Sequence, residues 1–379
     1  MNPKVQQYFL DVIDGRKTDR KALALAKILG ALAVIYGLLV QSRVFLYRVG
    51  VLRRKTLGCV ILSVGNLTVG GTGKTPVVEM LARSLAQGGR RVAVLSRGYK
   101  REKQFCLRRW WNTRFQYQPG IVSDGHSVRM ESAEAGDEPF MLAKNLAGVA
   151  VLVDKNRVKS GSYAIEKMGA DTLILDDGFQ YMPLGRRVDI VLVDSTNPFG
   201  NERMLPRGLL REPIKNIGRA DMIFLTKSDG ANANPIVERI RAANPKAPIV
   251  ECQHDPKHLV EVATGSVKPL DFLRGKRVAA VTAIASPEGF EKALKHLGAE
   301  LVLSRRFPDH HRFTERDLTE AIKEGARNKI EAILTTEKDA VRFPPLEKKN
   351  VPVYYLRVEI RIRSGLADFK DCIARVCNP

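Results

Sequence analysis

Short apolar runs that stop at polar or glycine-rich residues recur along most of the chain. Runs at residues 58–64, 172–175 and 188–193 have the length of buried strands, and the segment after the first run has helical periodicity. Strand and helix patterns alternate again between residues 275 and 365. This alternation predicts an α/β protein with a parallel sheet and a second, smaller α/β domain.

The N-terminal segment has a different pattern, because it is apolar without alternation. Residues 22–40 are apolar apart from Lys27, and residues 28–40 are an uninterrupted apolar run of thirteen residues. Basic residues flank the segment on both sides, which suits a helix near anionic lipid headgroups. Because about 20 apolar residues are needed to span a bilayer, spanning the membrane and lying on it are both open, with a buried first helix as the alternative. We expect a membrane-associating helix.

The net charge of the chain predicts an anionic partner. The 379 residues carry a formal charge of +21, and Lys and Arg are concentrated in residues 1–60 and 90–116. Clustered cations attract phospholipid, phosphorylated lipid or nucleic acid alike, so the charge does not choose among them. The five cysteines are scattered without zinc-ligand spacing, which predicts free thiols in a reducing compartment.

A glycine-rich loop lies between the first strand and the helix that follows it. This order of strand, loop and helix is the context of a P-loop. Backbone N–H groups of such a loop surround phosphate oxygens, its lysine reaches the β- and γ-phosphates, and the next hydroxyl binds Mg²⁺. The usual pattern has glycine where this chain has Thr68. The sequence predicts that ATP is bound by Thr68, Val69, Gly70, Gly71, Thr72, Gly73, Lys74 and Thr75.

Two other classes of ATPase share parts of this pattern. The loop is similar to the variant P-loop of partition-type ATPases, whose signature lysine would stand at Val69. A membrane-localised switch ATPase of that type is therefore an alternative. A nucleic-acid-dependent NTPase is motivated by charge alone, and the chain has no recognised nucleic-acid module.

Two acidic residues end an apolar strand about 100 residues after the P-loop. Asp176 and Asp177 have the form of a Walker B segment, in which a carboxylate holds Mg²⁺. The same Asp-Asp-Gly sequence is also favourable in a solvent-exposed turn. Asp194 ends another apolar run and competes for this role. We expect Thr75, Asp176 and Asp177 to be the metal ligands.

Two further polar segments are candidates for the chemistry of a phosphoryl acceptor. Asp137 could take the proton of an attacking hydroxyl, or it could cap or begin a helix. His310 follows Asp309 in a segment that suits either proton transfer or a solvated turn. The residues alone leave both choices open.

Several rare strings in a fixed order resemble the tetraacyldisaccharide 4'-kinase family. They are GNLTVGGTGKTP (65–76), LSRGY (95–99), GDEP (136–139), LDDGFQ (175–180), LLREP (209–213), FPDHHRF (307–313) and LTTEKDAVR (334–342). The resemblance implies transfer of the ATP γ-phosphate to the 4'-hydroxyl of an acylated glucosamine disaccharide 1-phosphate. It also implies a two-domain P-loop fold with an N-terminal membrane-associating helix.

The same resemblance implies roles for individual residues. Asp137 is then the base or its partner, His310 assists it, and Lys74 contacts the transferred phosphate. Arg97, Glu138 and Asp309 are implied as substrate-binding or auxiliary residues. The implied cofactors are ATP and Mg²⁺, and the implied place is the cytoplasmic face of the bacterial inner membrane, with an anionic membrane surface as partner and without nucleic acid or an obligate protein partner.

The expected domain boundaries follow from these patterns. Residues 1–55 are the N-terminal helix region, and residues 56–240 are the P-loop kinase domain. Residues 241–274 are a linker with strand character, and residues 275–379 are the smaller α/β domain.

Overall fold

The structure is a computed structural model that describes residues 8–9, 11–13, 15–98, 118–230, 233–346 and 351–378. The strands are β1 (Val60–Asn66), β2 (Val92–Ser96), β3 (Gly120–Asp124), β4 (Ala150–Val153), β5 (Thr172–Asp176), β6 (Val188–Asp194), β7 (Met222–Thr226), β8 (Ile249–Glu261), β9 (Val267–Lys268), β10 (Arg277–Thr282), β11 (Glu300–Arg306), β12 (Ala332–Thr336) and β13 (Val353–Ser364). The helices are α1 (Arg20–Arg48), α2 (Lys74–Gln87), α3 (Ser132–Ala135), α4 (Asp137–Asn145), α5 (Arg157–Met168), α6 (Ala233–Ala243), α7 (Pro287–His296), α8 (Glu315–Arg327), α9 (Glu337–Ala340) and α10 (Leu366–Cys377).

Packing divides the chain into two compact units, each built from separate stretches of sequence. The first unit contains Met1–Leu95, Asn156–Gln253 and Ile362–Pro379, and the second contains Ser96–Lys155 and His254–Arg361. These units differ from the expected continuous domains, because the second unit takes residues from the middle of the expected kinase domain and the last helix joins the first unit. The reason is physical: strands that are neighbours in a sheet are often far apart in sequence, so local patterns do not reveal which unit a segment joins.

The first unit has the parallel sheet that the sequence predicts. Its strands lie in the order β8, β7, β6, β1, β5, β2, and every neighbouring pair is parallel. Val64 of β1 is in register with Asp176 of β5, and Asp194 of β6 is in register with Thr226 of β7. The carboxyl ends of parallel strands meet at one edge of the sheet. The P-loop and the acid-ended strands therefore share that edge.

The N-terminal helix α1 is the one helix in the described part of the chain that is long and apolar enough to cross a membrane. Asp19 caps its start by accepting a hydrogen bond from the Ala22 amide. Most of its large apolar side chains remain exposed, with Leu38 at 64% and Leu39 at 66%. The helix also contacts the rest of the first unit, because the Tyr36 hydroxyl donates a hydrogen bond to the Arg211 carbonyl at 3.2 Å. A soluble helix would bury such a surface, so α1 is compatible with membrane association.

The second unit contains both parallel and antiparallel strand pairs. Strands β11, β10, β12 and β13 are parallel neighbours in that order, while β3 pairs with β4 and β8 with β9 in antiparallel fashion. The alternating strand and helix pattern expected between residues 275 and 365 corresponds to β10 to β13 with the helices between them. The segment expected to be a linker, residues 241–274, contains β8 and β9.

A close approach of two backbones fixes the start of the P-loop. A Cβ atom added to Gly65, in β1, would lie 2.7 Å from both the Cβ and the backbone nitrogen of Phe179. Phe179 is fully buried and follows the two acids at the end of β5. Glycine at position 65 therefore allows the P-loop strand and the Asp176–Asp177 turn to pack together.

We predict that Gly65→Ala lowers the melting temperature, because backbone atoms of Phe179 must move, at a cost of about 1–3 kcal/mol. Gly289→Ala is the control, since the Cβ added in helix α7 meets only one atom at 3.9 Å. Thermal unfolding followed by circular dichroism measures both variants. Equal melting temperatures for Gly65→Ala and the unsubstituted protein would contradict the close approach.

Candidate functional site

The P-loop has the backbone conformation that its glycines allow. Gly70 and Gly73 have φ of +121° and +77°, values that side chains larger than hydrogen rarely tolerate. A Cβ atom added to Gly70 or Gly71 would meet nothing within 4 Å, so the loop borders open space. Thr68 has no positive φ, which explains why this position does not need the usual glycine.

Lys74, the first residue of α2, is held by two neighbours in the first unit. Its ammonium group donates to the Asn66 side-chain oxygen at 3.0 Å and lies 3.5 Å from Asp177 Oδ1. The Asn66 amide in turn donates to the Thr68 carbonyl at 2.7 Å. Asn66 therefore connects the lysine to the P-loop backbone, a role that the sequence did not reveal.

Asp177 is surrounded by cations. Arg211 donates to its two carboxylate oxygens at 2.9 and 2.8 Å, and Lys74 lies nearby. Burial alone would raise the pKa of Asp177, but Lys74 and Arg211 outweigh it and hold the pKa below its usual range. The residue also has a strained φ of +52°. Asp177 therefore stays ionised and positions two cations beside the P-loop.

The candidate metal ligands differ in their hydrogen-bond partners and in their burial. Asp194, the competing Walker B residue, accepts hydrogen bonds from Lys227 at 2.5 Å and from the Thr196 hydroxyl at 2.7 Å. Asp176 is buried at the end of β5, the direct neighbour of the P-loop strand. Among the described residues, no group of three or more His, Cys, Asp or Glu is placed to hold a metal ion. A nucleotide-bound Mg²⁺ needs only one or two protein ligands, so a carboxylate and a hydroxyl suffice.

The second unit brings Asp137 and His310 together. His310 Nδ1 lies 3.2 Å from Asp137 Oδ2, although the residues are 173 positions apart. Arg342 Nε donates to the same oxygen at 2.8 Å, and its Nη2 lies 3.2 Å from His310 Nδ1. That ring nitrogen can donate to Asp137 or accept from Arg342, depending on its protonation. The side chain of Asp137 thus contacts His310 and Arg342, and the helix cap is Gly136.

Arg342 is the centre of this cluster. Its side chain is fully buried and also donates to Asp339 Oδ1 at 3.0 Å and to the Ala283 carbonyl at 3.1 Å. Burial raises the pKa of Asp137, but the His310 and Arg342 contacts outweigh it and lower the pKa overall. Burial raises the pKa of Asp339 despite these neighbours. Asp137 therefore stays ionised near neutral pH.

The predicted auxiliary residues differ in their contacts. Glu138 forms an ion pair of 2.7 Å with Lys338, and the positive charge lowers its pKa against the effect of burial. Asp309 is 3.8 Å from His310 Nε2, on the opposite side of the ring from Asp137. Arg97 is exposed at the end of β2. Part of its motif, together with most of the basic stretch at residues 90–116, lies outside the described residues.

The neighbouring histidine has a structural environment. His311 stacks on Phe307 with ring centroids 4.8 Å apart, and its Nε2 lies 3.0 Å from Asp317, in the first turn of α8. His310, by contrast, has a strained φ of +66°. The two adjacent histidines therefore have different environments, and only His310 contacts Asp137.

Besides Asn66, sequence reasoning missed three residues that complete these clusters. Arg211 contacts Asp177, and Asp339 and Arg342 surround Asp137. All three lie within the strings LLREP and LTTEKDAVR, so their motifs were seen although no role could be given to them. Their roles depend on contacts across as many as 205 positions, which a single sequence does not show.

Comparison with known proteins gives one consistent result. A family model described as tetraacyldisaccharide-1-P 4'-kinase matches residues 25–378. A tetraacyldisaccharide 4'-kinase of Anaeromyxobacter dehalogenans is 44% identical over 79% of this chain and 76% of its own length. The corresponding enzyme of Syntrophus aciditrophicus is 39% identical over 92% of each chain. The crystal structure of LpxK from Aquifex aeolicus in complex with ATP superposes with a TM-score of 0.71 at 31% identity, covering 93% of this chain and 99% of that one.

We predict that Arg342→Met destabilises the protein by about 3–5 kcal/mol, because it leaves Asp137 and Asp339 buried without their cation. Arg342→Lys should recover part of the loss. Arg306→Met is the control: Arg306 also contacts carboxylates, but on the exposed surface, where the change in melting temperature should be small.

The pH dependence of this destabilisation follows from the lowered pKa of Asp137. The ion pair contributes fully above the unfolded pKa of about 3.9 and is lost as the pH falls through the lower folded value. The difference in melting temperature between Arg342→Met and the unsubstituted protein should therefore be larger at pH 7 than at pH 3. A difference that does not change with pH would contradict the account.

Proposed function

Because the chain belongs to the tetraacyldisaccharide 4'-kinase family, we propose how its residues divide the reaction of that family. The reaction transfers the γ-phosphate of ATP to the 4'-hydroxyl of an acylated glucosamine disaccharide 1-phosphate. The P-loop with Lys74 binds the phosphates, and Asp137 with His310 takes the acceptor proton. The observation that carries this assignment is the contact of Asp137 with both His310 and the buried Arg342.

The family assignment decides between the hypotheses drawn from the sequence. The chain is a kinase that uses ATP in lipid A biosynthesis, and its α/β P-loop fold is confirmed by the superposition on the ATP complex. The alternative of a partition-type switch ATPase is wrong, since the family model and its relatives cover nearly the whole chain.

On the nucleotide side, cations are already arranged for phosphate. Lys74 lies at the start of α2, where the helix dipole also favours negative charge. Asp177 keeps Lys74 and Arg211 together. We assign Thr75 and Asp176 to Mg²⁺ and give Asp177 this positioning role. When bound, Mg²⁺ would neutralise charge on the phosphates.

On the acceptor side, the reaction needs a group that takes one proton. The hydroxyl O–H bond breaks as its oxygen bonds to the γ-phosphorus, and the proton passes to Asp137, directly or through His310. The bond from that phosphorus to the bridging oxygen of ADP breaks in the same step, so ADP is the leaving group. The ionised state of Asp137 near neutral pH suits this role. Glu138, Asp309 and Arg97 are assigned to the binding of substrate or to the support of this pair.

The acceptor carries acyl chains, which lie in a membrane, so the enzyme must work at the membrane surface. The exposed apolar surface of α1 and the basic residues that flank it suit insertion into an anionic membrane surface. We place the protein at the cytoplasmic face of the inner membrane, where ATP is available. The chain needs no nucleic acid and no obligate protein partner in this scheme.

We predict that Asp137→Asn lowers kcat for lipid phosphorylation by about 100- to 10,000-fold, because the amide cannot accept the proton. Asp317→Asn is the matched control, since it changes the carboxylate beside His311 instead of His310. A rate for Asp137→Asn within twofold of that of Asp317→Asn would remove Asp137 from the mechanism.

Lys74→Ala separates the two halves of the reaction. It removes a cation from the phosphate-binding loop, so both the affinity for MgATP and kcat should fall, the latter by orders of magnitude. Asp137→Asn should retain MgATP affinity in equilibrium binding. Wild-type turnover in Lys74→Ala would contradict its assignment.

We predict that the double variant Leu38→Glu/Leu39→Glu no longer co-sediments with vesicles containing anionic phosphatidylglycerol, because it places charges on the exposed apolar surface of α1. Leu366→Glu is the control, because Leu366 is 48% exposed on another helix of the same unit. Sedimentation of the double variant equal to that of the control would show that α1 does not hold the protein on the membrane.

A further inference from the structure

The segment Thr226–Asp229, which begins with the last residue of β7, has no role in the scheme above. It reads Thr-Lys-Ser-Asp, and β7 is the second strand from the P-loop strand, beyond β6. Since all these strands are parallel, the segment leaves the sheet at the same edge as the P-loop. A nucleotide whose phosphates lie in the P-loop must place its base somewhere along that edge.

Two side chains of this segment bind the P-loop backbone directly. The hydroxyl of Thr226, which is fully buried, donates to the Thr72 carbonyl at 2.9 Å. The Lys227 ammonium donates to the Gly71 carbonyl at 3.0 Å. A lysine that contacts a carbonyl of the P-loop extends its alkyl chain alongside the nucleotide site, where apolar carbon can cover the face of a base.

The backbone of the segment is held in an unusual conformation. Lys227 has a φ of +55°, which is strained for a lysine. The next residue is fixed from two sides: the Ser228 hydroxyl donates to Glu251 at 2.9 Å, and the Ser228 amide donates to the Cys252 carbonyl at 3.0 Å. These contacts fix the position from which the exposed Asp229 leaves the loop.

The chemistry of a carboxylate at this position favours one base. A carboxylate is an acceptor with two oxygens, which matches two adjacent N–H donors. Guanine presents such a pair at N1 and the 2-amino group, whereas adenine presents one amino group beside an acceptor nitrogen.

We propose that Thr226–Asp229 is the base-binding loop of the nucleotide site, with Lys227 along the base and Asp229 bound to its N–H donors, so that this kinase accepts GTP as well as ATP. With GTP the γ-phosphate would pass to the same hydroxyl, leaving GDP. The proposal rests on the P-loop being the nucleotide site and does not depend on the roles of Asp137 and His310.

The test is competitive binding, which needs no turnover. A fluorescent N-methylanthraniloyl-ADP probe is bound to the full chain and displaced with ADP, GDP, IDP or XDP. We expect GDP to compete at concentrations comparable with ADP, and IDP, which lacks the 2-amino group, to compete less well than GDP. Failure of GDP to displace the probe would overturn the proposal, whether or not lipid is phosphorylated.

Asp229→Asn tests the contact itself. It should raise the ratio of the GDP to the ADP dissociation constant by about 10- to 100-fold, the effect of losing a paired contact to a base. It should also improve XDP binding, because the amide can donate to the 2-oxo group of xanthine. Asp368→Asn, which changes an exposed acid in the first turn of α10, is the control. An unchanged ratio of GDP to ADP in Asp229→Asn would show that Asp229 does not contact the base.

Discussion

The parallel pairing of β1 with β5 and β6 is the constraint on which the nucleotide site depends. Its register places Val64 beside Asp176, so that the P-loop and the two acids leave the sheet together. The close contact of Gly65 with Phe179, just after β5, also fixes this arrangement, because a Cβ atom at position 65 would clash with the backbone of Phe179. Lys74 can then reach Asn66 and Asp177 at the same time. The position of Lys74 therefore depends on the pairing of the strands as well as on the P-loop.

Burial of charge organises the second unit in a comparable way. A fully buried guanidinium is stable only when carboxylates and carbonyls surround it, and Arg342 has Asp137, Asp339 and the Ala283 carbonyl. The same contacts that satisfy the arginine keep Asp137 ionised and orient it toward His310. The cluster therefore joins the buried Arg342 to Asp137, the acid at the start of α4 for which we propose a chemical role.

The sequence was sufficient wherever a function depends on neighbours in the chain. The P-loop, the acid-ended strand and the exposed α1 could all be predicted, because each is a local pattern. The contacts of Asp137 could not be chosen from the residues alone, since its partners lie 173 and 205 positions away. The same limit explains why the two units differ from the expected domains. Arg211 was part of a quoted motif, but only the fold reveals that it binds Asp177.

The central claim is that this chain uses its P-loop to phosphorylate a lipid acceptor and not merely to hydrolyse ATP. The most direct measurement follows radiolabel from the γ-phosphate of MgATP with purified protein and a tetraacyldisaccharide 1-phosphate in detergent micelles. The account predicts label in the lipid, lost when the metal is removed by chelation. Release of labelled inorganic phosphate without labelled lipid would contradict it.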